Sequence, residues 1–301
     1  MHLKPIISGI VIASIIFFII IFIKGSPSRN IFQFVSPISE DSQSLSEVSG
    51  VLDAENTSFD TLVSFIKSIP GDYGLYIKNL STKQEYKYKS DSIFWAASLY
   101  KIVVGGAVYD LINQDKLSLN YVYVYESVDY QDGTGLIQND PVGTTYTVDE
   151  LLDLLFKHSD NIAQNILVRN ISLAKVGEFY GEICPEYGTM MEDQTTSPER
   201  IAGLLINLYN NSSWPRQMRR EFFTRMIGTE FDDRISVGLS DDLIFAHKIG
   251  NLPDELWHDC GIVFDANFEN PVAVCLMSSS TGFDDFVGVS KEVARFINSQ
   301  F

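Results

Sequence analysis

The chain is organised around the stretch Ala96-Ala97-Ser98-Leu99-Tyr100-Lys101, which continues as Ile102-Val103-Val104-Gly105-Gly106-Ala107-Val108-Tyr109. If this run is helical, a spacing of three residues places the Ser98 hydroxyl and the Lys101 amine one turn apart on the same face. Residues 93–109 carry no other charge, so the helix should be buried, and burial favours the neutral, basic form of a lysine. The stretch predicts a nucleophile with an adjacent base. It also fits a snorkelling lysine beside an unrelated serine, so the interpretation depends on the rest of the chain.

The composition is that of a globular and strongly acidic chain. Its 301 residues are 45% hydrophobic, which is enough for one large core or two modest ones. The net charge of −17 leaves no basic patch for phosphates, so we expect no nucleic-acid partner. The three cysteines show no Cys-x-x-Cys spacing, and at least one is unpaired. We interpret Cys184, Cys260 and Cys275 mostly as core residues; a bridge between Cys260 and Cys275 is compatible with the sequence but not required by it.

The N-terminal region predicts a membrane anchor followed by a tether. The 18 residues from Ile6 to Ile23 are apolar and uncharged, and as a helix they would rise about 27 Å, close to the thickness of a bilayer core. No Ala-x-Ala cleavage site follows, which favours an uncleaved signal anchor over a removed signal peptide. Residues 25–57 are rich in Ser, Pro and acidic residues, as expected for a flexible linker. We therefore expect a transmembrane helix in residues 1–24, a linker in 25–57 and an extracytoplasmic domain in 58–301 of a single-pass cell-membrane protein.

Hydrophobic spacing in residues 58–301 predicts an α+β domain. An amphipathic helix from Ser58 ends at Pro70-Gly71, and a strand–turn–strand hairpin follows in residues 73–88. The middle of the chain is mostly helical, with a turn-rich stretch at 114–147. Three strands and a closing helix are predicted at 243–249, 260–264, 272–278 and 287–298, and helices of the middle region at 148–156, 173–180 and 214–227. This order predicts a five-stranded antiparallel sheet flanked by the N- and C-terminal helices, with a mostly helical subdomain.

Three short motifs occur in a fixed order: Ser98-Leu99-Tyr100-Lys101, Ser159-Asp160-Asn161 and Lys248-Ile249-Gly250. Alone, the second would be a helix-capping turn and Lys248 a solvated lysine on an edge strand. Together, they resemble the signature set of class A β-lactamases and penicillin-binding proteins. Residues 58–301 contain further segments similar to class A: 94–98, 143–151, 159–165, 193–198, 233–235 and 247–250.

The resemblance implies a β-lactamase/transpeptidase-like fold and a serine hydrolase that opens a β-lactam ring through a Ser98 acyl-enzyme. Lys101 would take the Ser98 proton, and Ser159 would pass a proton to the leaving nitrogen. Asp160 would be structural. The substrate, a β-lactam or a peptidoglycan peptide, would contact Asn161, Lys248, Gly250 and Asn251, and the backbone N–H groups of Ser98 and Asn251 would form the oxyanion hole. No cofactor or metal is implied, and we expect a monomer.

Two departures from the class A pattern affect the predicted chemistry. The family's Lys-Thr-Gly reads Lys248-Ile249-Gly250 here, so a hydroxyl that helps hold the substrate carboxylate is lost. The Glu-x-x-Leu-Asn pattern of the deacylating glutamate is absent between Asn161 and Thr195, and none of Glu182, Glu186 and Glu192 matches it. A penicillin-binding D,D-peptidase is therefore a credible alternative. A non-hydrolytic cell-wall or β-lactam-binding domain is disfavoured because Ser98 and Lys101 are both present.

Overall fold

A five-stranded antiparallel sheet organises the residues that the computed structural model describes, which are 58–187, 194–252 and 255–301. Its strands are β1 (Asp72–Asn79), β2 (Glu85–Tyr88), β7 (Leu243–Leu252), β8 (Leu256–Asp265) and β9 (Val272–Ser279). They lie in the order β2-β1-β9-β8-β7, and every neighbouring pair is antiparallel. The predicted α+β class and five-stranded sheet are confirmed.

Side chains of the sheet alternate between two hydrophobic cores, as the period of two in a strand requires. Leu75, Val263 and Val274 face a core formed with α1 (Phe59–Ser68) and α8 (Phe283–Asn298). Ala246, Ile262 and Cys275 face the other core, which contains the helical subdomain. The first and last helices of the described chain thus pack on one face of the sheet, as predicted.

Six helices make up the subdomain on the other side of the sheet. They are α2 (Tyr100–Asn113), α3 (Val148–Lys157), α4 (Asn161–Ile171), α5 (Leu173–Ile183), α6 (Pro198–Asn210) and α7 (Arg216–Thr224). The helix predicted at 214–227 is shorter than expected, because Pro215 caps its start in an extended conformation. The closing helix begins earlier than predicted, at Phe283, since Asp284 and Asp285 suit the first turn of a helix.

Two short strand pairs were not predicted from the sequence. β3 (Phe94–Trp95) pairs with β6 (Thr195–Thr196), and β4 (Val122–Val124) pairs with β5 (Thr145–Thr147). The first pair joins residues about a hundred positions apart just before the Ser98 turn, and so short a strand carries no periodic pattern.

Cys260 and Cys275 lie opposite each other on β8 and β9 and form a disulfide bond, while Cys184 is a free, buried thiol. Within the described ranges, no helix is both long and apolar enough to cross a membrane. The predicted transmembrane segment at 6–23, the linker at 25–57 and Glu192 lie outside those ranges.

Candidate active site

Ser98 and Lys101 form a close pair at the start of α2. A single 3-10 turn, Ala97–Leu99, leads into the helix, and Lys101 lies one turn beyond the serine. The Lys101 Nζ lies within hydrogen-bond distance of Ser98 Oγ, at 2.9 Å, and the Lys101 side chain is buried. The structure thus brings together the two residues that their spacing predicted to be neighbours.

Two carbonyl oxygens hold the Lys101 amine in place. Its Nζ lies 2.7 Å from Asn161 Oδ1 and 2.8 Å from the backbone oxygen of Ser159, and both of these atoms can only accept hydrogen bonds. Burial lowers the pKa of Lys101 to about 7, although the nearby charge of Asp160 opposes the shift. A neutral amine has two N–H groups and one lone pair. When the N–H groups point to these two oxygens, the lone pair is free to accept the Ser98 proton.

The Ser159 hydroxyl connects two buried lysines. Its Oγ lies 3.2 Å from Lys101 Nζ and 2.9 Å from Lys248 Nζ. Lys248 extends from β7 toward the helical subdomain, and burial lowers its pKa, aided by the positive charges of Lys101 and Arg234. The structure therefore joins residues from all three motifs in a single hydrogen-bonded chain, from Ser98 through Lys101 and Ser159 to Lys248.

Asp160 fixes the loop that carries Ser159. Its Oδ1 accepts hydrogen bonds from the N–H groups of Ile162 and Ala163 at the start of α4, at 2.8 and 2.9 Å. Its Oδ2 accepts from the N–H groups of Leu136 and Ile137, at 2.7 and 2.9 Å. The carboxylate is completely buried, and all four of these donors are backbone groups, so its geometry is that of a structural residue.

The strand β7 lies close against the segment that precedes the nucleophile. A Cβ atom at Gly250 would lie 3.0 Å from the Ala96 backbone oxygen and 3.2 Å from Leu99 Cγ, so this close approach favours glycine. Asn251 follows on the same strand, and its role in the oxyanion hole stays a prediction. Ile249 is buried and offers no hydroxyl group to a substrate.

Behind this strand, His258 on β8 supports the same segment. Its Nε2 lies 2.8 Å from the Trp95 oxygen, and burial lowers the pKa of the imidazole to about 4. A neutral His258 therefore donates this hydrogen bond and ties β8 to β3. This geometry is that of a structural residue.

Arg234 is a candidate functional residue that the motifs did not single out. It is 2% exposed, and within the described chain its Nη1 has no hydrogen-bond partner. The guanidinium carbon lies 5.7 Å from the centre of the Trp257 ring. Its charge contributes to the lowered pKa of Lys248, so the two cations are close enough to interact. A lone arginine has no characteristic spacing, and only the class A-like segment at 233–235 pointed to this part of the chain.

Of the three glutamates considered for deacylation, Glu182 and Glu186 are exposed to solvent. Glu186 lies on a 3-10 turn after α5 and accepts a hydrogen bond from Asn207 Nδ2 over 3.3 Å. Within the described ranges, the hydrogen bonds of Lys101 go to Ser98, Ser159 and Asn161, and none involves a glutamate.

Comparisons with known proteins agree with this arrangement. The β-lactamase of Streptomyces albus G is 25% identical over 231 residues, which are 70% of this chain and 73% of that protein. The fold is similar to that of an ancestral class A β-lactamase, with a TM-score of 0.72, 22% identity and coverage of 80% of this chain and 99% of the other. It is equally similar to PBP-A, solved as a point mutant in an acyl-enzyme complex with penicillin G, with a TM-score of 0.72, 20% identity and coverage of 80% and 96%.

A family model described as the β-lactamase enzyme family matches residues 58–300. This range contains all three motifs and every strand of the five-stranded sheet. The chain therefore belongs to the β-lactamase enzyme family.

Proposed function

We propose that this protein is a serine β-lactamase that opens the β-lactam ring through an acyl-enzyme on Ser98 and releases the product slowly. The observation that carries the proposal is the buried Lys101 amine, 2.9 Å from Ser98 Oγ and with its pKa lowered to about 7. A lysine with such a pKa is substantially neutral at neutral pH and can act as a general base.

The acylation step can be followed proton by proton. The Ser98 hydroxyl gives its proton to the Lys101 lone pair while Ser98 Oγ attacks the carbonyl carbon of the lactam. The C–N bond then breaks, and the leaving nitrogen takes a proton from Ser159, whose Oγ lies 3.2 Å from Lys101 Nζ. Lys101 returns the first proton to Ser159. Over the whole step, one proton moves from Ser98 to the leaving nitrogen, and both Lys101 and Ser159 are regenerated.

Two cations suit a substrate carboxylate. Lys248 lies beside Ser159. The Nε of Arg234 lies 3.5 Å from Asp233 Oδ1, but its buried Nη1 has no hydrogen-bond partner in the described ranges, and its charge acts on Lys248. Fixed positive charges in a site shielded from water attract an anion strongly. Arg234 can therefore supply carboxylate recognition that Ile249, lacking a hydroxyl, does not.

Deacylation needs a base that activates water on the acyl carbon. No glutamate of the described ranges forms a hydrogen bond with Lys101, and the sequence lacks the class A pattern for that residue. The loss of a positioned general base lowers a rate by about 10²–10⁴-fold. The acyl-enzyme should therefore accumulate.

The lack of the class A glutamate pattern in the sequence supports a second candidate, a penicillin-binding D,D-peptidase. Such an enzyme would form the acyl bond to Ser98 from a peptidoglycan peptide and would use the same Lys101 and Ser159. The neighbour PBP-A has a similar fold, although at 20% identity this likeness concerns the fold alone. A comparison of the acylation rates for a penicillin and for a peptide ending in D-Ala-D-Ala would decide between the two.

We also propose that the catalytic domain is held outside the cytoplasm by the apolar run at 6–23. Its 18 uncharged residues match the thickness of a bilayer core, and the acidic, Ser- and Pro-rich residues 25–57 suit a tether. We propose a monomer, as the resemblance to class A β-lactamases implies.

A fluorescent penicillin tests the assignment of the nucleophile. Ser98→Ala should abolish covalent labelling and leave the thermal unfolding curve close to that of the wild type, since one hydroxyl is removed. Ser212→Ala, at an exposed serine in the loop before α7, is the matched control and should label fully. Labelling that persists in Ser98→Ala would refute the assignment.

A further inference from the structure

His247 is a buried cation held between two carboxylates, directly before Lys248 in β7. Its Nδ1 lies 2.6 Å from Asp259 Oδ1, and its Nε2 lies 2.7 Å from Asp232 Oδ1. Ionised carboxylates only accept hydrogen bonds, so both ring nitrogens must carry a proton. Burial alone would lower the pKa of His247, but the charges of Asp259 and Asp232 outweigh it and raise the pKa to about 9. The imidazole is therefore positively charged at neutral pH.

The surroundings of His247 keep this ring in one orientation. The Phe245 ring stacks on it with centroids 4.5 Å apart, and the Thr229 hydroxyl lies 3.3 Å from Nε2. Two further charged groups act on His247 and Asp259. They are Lys248, which follows His247 in β7, and Arg234, whose charge acts on Asp259. Asp232 is the solvent-facing partner, with 43% of its side chain exposed, whereas His247 and Asp259 are completely buried.

His247 and Asp259 together hold both ends of the short segment that carries Arg234. Asp232, two residues before Arg234, accepts the hydrogen bond from His247 Nε2. Ile235, the residue after Arg234, donates its backbone N–H to Asp259 Oδ2 over 3.1 Å. Arg234 thus lies between two contacts that end on one His247–Asp259 pair.

Lys248 is tied to His247 through the strand itself. Adjacent residues of a strand point to opposite faces, so His247 faces the α1 and α8 side while Lys248 faces Ser159. A displacement of the His247 ring that moves the β7 backbone would move the base of the Lys248 side chain with it.

We propose that His247, bonded to Asp259 and Asp232, is a positioning residue that fixes Lys248 and Arg234 as one binding site for the substrate carboxylate. The inference rests on the proposed function, because it assigns that site to the substrate of the Ser98 reaction. His247 acts through the two cations and touches neither the substrate nor Ser98.

Acylation by benzylpenicillin and by its methyl ester tests this role, because the ester has the same lactam but no carboxylate. In full-length protein, Asp232→Ala should raise the apparent dissociation constant for benzylpenicillin about tenfold and change the limiting acylation rate less than about twofold. His247→Asn should raise it at least as much. For the ester, the apparent dissociation constant and the limiting acylation rate should stay within about twofold of the wild-type values in both variants. Asp241→Ala removes an exposed carboxylate that lines the same surface groove as Asp232 and is the matched control, with no change for either compound.

The positioning role would be overturned if the variants lost affinity equally for the two compounds, or if they lost no affinity for benzylpenicillin. A second measurement does not need activity: the ring nitrogens of His247 in the wild type should both be protonated at pH 7.5 by nitrogen NMR. Asp232→Ala should shift the signals of Lys248 and Arg234, and shifts confined to residues 229–233 would overturn the inference. If wild-type protein is not acylated at all, the proposed function fails, and the NMR result still decides whether His247 positions the two cations.

Discussion

Lys101 connects burial to chemistry within one side chain. Its amine is surrounded by Ser98, Ser159 and Asn161, and burial lowers its pKa to about 7. The spacing of three in an uncharged run predicted that Ser98 and Lys101 are neighbours, and the other two motifs were needed to interpret them as a nucleophile and its base. Arg234 and His247 were not singled out from the sequence. His247 is recognised by its hydrogen bonds to Asp259 and Asp232, which are distant in sequence. Arg234 is recognised by its Nη1, which has no hydrogen-bond partner in the described ranges. Such features have no periodicity and appear only when the strands are assembled.

The acylation rate should depend on the protonation state of Lys101. Because the reactive amine is neutral, the rate should rise about tenfold per pH unit below its pKa of about 7 and level off above it. Lys101→Arg keeps the positive charge but cannot lose its proton in this range, so its acylation should be slower by about 10²–10⁴-fold at every pH. Stopped-flow acylation between pH 5 and 8.5 measures both effects. A rate that does not change with pH in the wild type, or a fast Lys101→Arg variant, would exclude Lys101 as the base.

Helix starts and loops position the site residues in this fold. α4 begins at Asn161 because the Asp160 carboxylate caps its first N–H groups, and the same carboxylate holds the loop at 136–137. A Cβ at Gly135 would collide with the Asp160 carboxylate, so the loop can approach only with glycine there. These contacts set the position of Ser159 between the two lysines.

Asp160→Asn should destabilise the protein, although the side chains have nearly the same shape. All four hydrogen bonds at Asp160 come from backbone N–H groups, two to each oxygen, so an amide NH₂ would face two donors. We expect a loss of about 2–4 kcal/mol in the free energy of unfolding, measured by urea denaturation. Asp132→Asn is the control: its exposed carboxylate accepts a single bond through Oδ1 from the Gly133 N–H, which an amide oxygen can replace. Similar losses in the two variants would contradict the assigned role of Asp160.

The elements that the sequence predicted well are those with long periodic patterns. The strands of the sheet and the helices α3 and α5 lie where hydrophobic spacing placed them, with ends that differ by a few residues. The pairs β3–β6 and β4–β5 are two or three residues long and join distant segments, so local pattern could not reveal them. The three motifs together predicted one shared site, and the contact between Lys248 and Ser159 agrees with it.

The whole chain combines an acidic domain with an apolar N-terminal run. Its net charge of −17 contrasts with the buried pair Lys248 and Arg234, which interact through their charges, and Lys248 lies beside Ser159. Local positive potential in an otherwise acidic protein favours small anionic substrates over large polyanions. This distribution is consistent with a carboxylate-bearing substrate and with the expected lack of a nucleic-acid partner.

Full-length protein should stay with the membrane fraction after washing with carbonate or high salt, because 18 apolar residues at 6–23 would have to leave the bilayer. Immunoblotting of the washed membranes measures this, and a variant that lacks residues 1–24 should be found in the soluble fraction. Recovery of a soluble wild-type species truncated near residue 25 would instead show that the segment is cleaved.

The central claim is that Ser98 is acylated readily and deacylated slowly, and a reaction of full-length protein with a chromogenic cephalosporin tests it most directly. Colour and intact protein mass are followed together after mixing. The account predicts a burst of one equivalent of product, an acyl adduct that persists for minutes, and neither signal in Ser98→Ala. Rapid multiple turnover without an adduct, or an adduct that also forms in Ser98→Ala, would contradict it.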